Sequence, residues 1–136
     1  MGPTLTTHDT RFDDPDPTTI ASVLADLDGR LHVMATLAQS ELRYLQATGS
    51  ASAGFALEQQ EGSLDRHYRS RTVNLPLVRV TELFQKYARG DESWRQGVEW
   101  EHVPYVPVKT PWYSTWIGLT VIVLVVVTLI WLWRAP

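Results

Sequence analysis

A chain of 136 residues with no cysteine and a formal charge of −3 has room for at most one small domain. It excludes disulfides, thiolate zinc sites, iron–sulfur ligation and covalent haem attachment. The charge is split: residues 1–65 hold three Arg against ten acids, and residues 66–111 hold eight Lys and Arg against five. That order suits contact of the second half with anionic headgroups or an acidic partner, with two ordinary solvated faces as the plain explanation.

Residues 1–16 begin MGPTLTTHDTRFDDPD, polar and acidic without a secretory-signal pattern, and are expected to form an extended arm. Asp16 followed by Pro17 is a helix start, an N-cap residue before proline at the first helical position. Ile20, Leu24, Leu27, Leu31, Met34 and Ala38 then recur at spacings of four and three, Glu41 interrupts, and Leu45 resumes the series. This heptad pattern predicts a long amphipathic helix over 17–48, roughly 46 Å in length, stopped by Gly49. Ile20, Leu24, Leu27, Leu31, Met34 and Leu45 are its expected partner seam, for another subunit or a second copy.

Residues 49–75 read as a flexible, basic connector. GSASAG has the glycine spacing of a phosphate loop, but Phe55 and Ala56 stand where Lys and Ser or Thr must be. No nucleotide site is expected there, and the stretch does not fit a nucleophile elbow. RHYRSR makes Arg66, Arg69 and Arg71 the candidate basic surface, for headgroups or an acidic partner rather than nucleic acid. A second amphipathic helix is predicted over 76–90. Leu77, Val80, Leu83, Phe84 and Tyr87 form one face, and Glu82 and Lys86 an i,i+4 pair on the other.

Prolines and Val-Pro steps predict an extended membrane-proximal segment at 91–111, with Trp94, Trp100 and Tyr105 lying against a neighbour or a membrane interface. Residues 112–133 form an uncharged apolar run with aromatic ends, long enough as a helix to cross a ~30 Å hydrocarbon core. Trp112, Tyr113, Trp116, Trp131, Trp133 and Arg134 are the expected membrane-interface residues, and 134–136 the tail.

The fold class expected is therefore mainly α: a long N-terminal helix, a short second helix, an extended Pro/aromatic segment and one C-terminal transmembrane helix. The chain is expected to be an integral, single-pass membrane protein with its N-terminal region cytoplasmic. His8, His32, His67 and His102 are scattered without ligand spacing. No catalytic residue, cofactor or metal is expected, and no nucleic acid or small-molecule substrate. The function expected is that of a non-catalytic accessory subunit anchoring or bracing partners in a membrane assembly. The alternative is a virus structural protein tying a capsid to an underlying membrane, located on the virion side.

Overall fold

Alternation with a period of two, rather than a helical seam, organises the first half of the chain. The computed structural model describes residues 2–107. Their strands are β1 (Thr4–Thr6), β2 (Arg11–Asp13), β3 (Met34–Ser40), β4 (Arg43–Ser50), β5 (Gly54–Glu61), β6 (His67–Ser70) and β7 (Trp100–Val103). The helices are α1 (Pro17–Ala25) and α2 (Leu77–Ala88), followed by a 3-10 turn at Glu92–Arg95. All seven strands pair antiparallel in one sheet ordered β2-β1-β3-β4-β5-β6-β7.

One sheet face carries the core. Leu5, Ala35, Leu37, Leu45, Ala47, Phe55 and Leu57 are completely buried, at every second position of β1 and of β3 to β5. Ile20 and Leu24 of α1 and Val80, Leu83, Phe84 and Tyr87 of α2 cover them. Gln85 Nε2 donates to the Pro17 carbonyl at 3.0 Å, tying the two helices. The opposite face is a ladder whose central row runs Arg11, Thr6, Thr36, Gln46, Glu58, Arg69, Glu101 across the seven strands. This is the usual inside–outside alternation of an antiparallel sheet with one solvated side.

This architecture corrects the mainly α expectation. The predicted 17–48 helix stops at Ala25, with Asp26 as its C-cap, because the next residues satisfy their backbone in another way. Asp28 Oδ1 accepts the N–H groups of Arg30, Leu31 and His32 at 2.8, 3.0 and 3.0 Å, and Gly29 takes a φ of 71°. That Asx-type turn reverses the chain and starts a strand. The heptad spacing ran across this break by coincidence. Ile20, Leu24 and Leu27 are buried beneath α1, Leu45 is buried in β4, but Leu31 is 78% and Met34 42% exposed.

The 49–75 connector holds β5 and β6, and α2 lies within the expected 76–90 helix with Glu82 and Lys86 at 2.9 Å. In the segment after it, Trp94 is buried in the chain's own core, packed edge-on between Tyr87 and Trp100 at 5.2 and 5.8 Å. Trp100 Nε1 donates to the Arg95 carbonyl at 3.1 Å, while Tyr105 is exposed.

Among the described residues no helix is long and apolar enough to cross a membrane. The longest, α2, has 12 residues, or about 18 Å, against a hydrocarbon core of ~30 Å. The single-pass integral membrane reading is corrected to that extent: what the structure shows is a sheet domain. The run at 112–133, with Trp112, Tyr113, Trp116, Trp131, Trp133 and Arg134, lies outside the described residues.

Candidate functional site

The N-terminal hairpin, α1 and the 28–33 turn surround a cleft of about 590 Å³, larger than the two other described clefts of about 340 and 170 Å³. Its size falls within the roughly 300–1,000 Å³ of typical ligand pockets. Three local motifs build it. The β1–β2 turn closes through Thr7 N–H to the Thr10 carbonyl at 2.9 Å, and its side chains interlock. Thr7 Oγ1 lies 2.6 Å from Thr10 Oγ1 and 3.1 Å from Asp9 Oδ1.

The second motif is the start of α1, where Asp16 accepts the Thr19 N–H at 2.7 Å. That bond holds the Asp16 carboxyl below its ordinary value, and the helix presents Thr18, Thr19, Ser22, Val23 and Asp26 to the cleft. The third is the Asp28 turn, which carries His32 to the opposite wall. The N–H groups of Arg30 and His32 are the main cause holding the Asp28 carboxyl low.

The lining sorts by chemistry. Phe12, Val23 and Leu27 supply apolar surface; Thr7, Thr10, Thr18, Thr19 and Ser22 supply hydroxyls; Asp9, Asp26 and His32 are ionisable. Phe12 pairs with Leu5 on the helix side of the sheet, yet remains 37% exposed because β2 is an edge strand. Residues 1–28 contain six Asp against the single Arg11, which pairs with Asp13 at 3.1 Å. The cleft therefore sits in a field favouring cations.

His32 Nδ1 and Asp9 Oδ1 are 3.9 Å apart, beyond hydrogen-bond length. No base–orienter bond of the kind that arms a hydroxyl nucleophile is formed there. Among the described residues no group of three His, Cys, Asp or Glu could hold a metal ion.

Among the described residues, those singled out as seam or basic surface lie outside this cleft, apart from Leu27 in its wall. Arg66 pairs with Glu61 at 2.5 Å and Arg69 with Glu101 at 3.3 Å, on opposite faces of the sheet, so they do not form one basic patch; Arg71 is exposed. The cleft residues were missed because positions 9, 22 and 32 meet only through the pairing of β1 with β3. The local signals that could have found them are turn signals: Thr-His-Asp-Thr between two short alternating runs, and Asp28-Gly29.

No family model, no curated protein and no solved structure matches this chain.

Proposed function

We propose that the chain is a non-catalytic partner-binding domain, an accessory element that grips a basic segment of another protein in the cleft between its N-terminal hairpin and α1. The observation carrying this reading is the joint lining of one cavity by apolar side chains and carboxylates. Phe12, Val23 and Leu27 lie beside Asp9 and Asp26 in one cavity. Lys and Arg side chains have the matching two-part chemistry, an apolar stem and a cationic head. An aromatic ring and carboxylates together attract that head through its charge and through the ring face.

Binding is favoured over turnover because the lining joins apolar surface to carboxylates, the surroundings a cationic side chain with an apolar stem needs. The polar sheet face competes as a docking surface, but its ladder is the ordinary solvated side of such a sheet.

The test is native purification of the full-length chain with mass spectrometry of components at fixed ratio, alongside Ser22→Arg, which fills the cleft from exposed helix surface. The expected result is a stoichiometric, basic partner lost in the variant at unchanged melting temperature. A partner retained by Ser22→Arg, or none at fixed ratio, would contradict the proposal.

A further inference from the structure

We infer that a second cleft, at the opposite end of the helix-covered sheet face, is a receptor for one carboxylate group. Five charged side chains form an alternating chain there. Arg43 Nη2 lies 3.3 Å from Glu92 Oε1, and the other oxygen of Glu92 is 3.1 Å from Arg95 Nε. Arg95 Nη1 lies 2.8 Å from Glu61 Oε1, and Glu61 Oε2 is 2.5 Å from Arg66 Nη2. The chain begins and ends on a guanidinium. Strand pairing brings the two ends to one place: Arg43 stands opposite Glu61 in the β4–β5 ladder, and the Arg66 carbonyl accepts the Glu61 N–H.

Arg43, Arg66 and Arg95 line a single cleft of about 170 Å³ together with Glu61, whose two oxygens are already engaged by Arg95 and Arg66. Gly62 lies at its edge with open space where a side chain would be, and Asp65 does not line it.

A brace tying the 3-10 turn to the sheet accounts for Glu92, Arg95 and Glu61. It does not account for two terminal guanidiniums on the same cleft, each engaging a carboxylate through one nitrogen and about half exposed (48% and 56%). Arg95 Nε is buried with no aligned acceptor, although Glu92 is near. Each guanidinium offers five N–H donors in a planar fork. Three guanidiniums against two carboxylates leave one positive charge. One carboxylate bridging Arg43 and Arg66 brings the count to three and three and closes the alternating chain into a ring. Its two oxygens match two forks. A phosphate dianion would leave excess negative charge beside Glu61 and Glu92.

The carboxylate can be free in solution or displayed by a peptide, and two probes separate these sources. The ¹⁵N-labelled full-length chain is titrated at constant ionic strength with sodium acetate, then with an amidated Ala-Glu-Ala peptide and its Ala-Gln-Ala counterpart. Gly62 N–H and the arginine Nε–H signals are the readout. Saturable shifts with acetate and with the Glu peptide, but not the Gln peptide, are expected. Tighter binding of the Glu peptide assigns the site to a displayed carboxylate, and equal binding to a free one.

Arg43→Gln and Arg66→Gln should each weaken binding at least about tenfold. Arg71→Gln, an exposed arginine outside the cluster, should leave it unchanged. If a Gln variant fails to fold, Arg66→Lys, which keeps the charge and loses the fork, should weaken binding in the same direction. Shifts that do not saturate, equal weakening by Arg71→Gln, or tighter binding of inorganic phosphate than of acetate would overturn the inference.

Discussion

Tyr87 joins packing to titration. Its ring is buried against Trp94 and its hydroxyl has no hydrogen-bond partner. Burial pushes the phenol up to about 12, against the opposing pull of Arg43 and Arg95. Because the folded value lies above the unfolded one near 10, the folded chain keeps a proton that the unfolded chain releases. Stability from this group is fully present below about pH 10 and is lost as pH rises through about 12. Tyr87→Phe should flatten that alkaline loss. It should also raise stability at neutral pH by about 1 kcal/mol, since it removes an unpaired buried hydroxyl. Denaturant unfolding of both chains between about pH 8 and 11 checks the two effects together.

The acid limb has the opposite sign. Asp16 and Asp28 have carboxyls held below their ordinary value of 3.8 by backbone N–H groups. Their contribution is present above that value and fades as pH falls through the lower folded ones. Asp28→Ala should remove part of the acid loss and loosen the turn that carries His32.

At the scale of elements, the seam residues separate a helix from a sheet. Leu24→Ala should cost about 2–5 kcal/mol, as a cavity in the core. Leu31→Ser should cost within about 0.5 kcal/mol, because Leu31 is exposed on a turn. A continuous heptad helix predicts comparable losses at both, so unfolding midpoints of the two variants distinguish the architectures. Gly54→Ala should cost more than about 1 kcal/mol. Its φ of 86° suits glycine, and a Cβ would come within 2.6 Å of the Asn74 backbone.

The same elements show what could be read in advance. Asp16-Pro17 announced α1, and the apolar face of α2 with its Glu82–Lys86 pair was legible because that helix is amphipathic over its whole length. β3 to β5 also alternate in the sequence, as in Ala35, Leu37 and Leu45, Ala47. There the heptad template matched some of the same leucines, and Asp28-Gly29 was the evidence that should have broken it. Trp94 and Trp100 read as lying against a neighbour or a membrane interface because a proline-rich stretch gives no sign that a 3-10 turn folds it back onto α2.

On the whole molecule, both clefts follow from one topology. Pairing of β1 with β3 places the acidic N-terminal hairpin beside α1, and the β4–β5–β6 order gathers three arginines at the other end. A basic segment in the acidic cleft should bind less tightly as salt rises, since charges are screened within about 10 Å at 0.1 M ionic strength. Titration of a short Arg-containing peptide at several salt concentrations reads this effect directly.

The acidic cleft rests on the pairing of the N-terminal hairpin with β3, which brings Asp9 to His32. The most direct measurement is a set of cross-strand nuclear Overhauser contacts in the full-length chain. Contacts joining Leu5 to Leu37 and Thr6 to Thr36 are expected, with strand-type coupling from Met34 to Ser40. Sequential helical contacts running unbroken from Pro17 through Leu45, with none between residues 4–6 and 36–38, would contradict it.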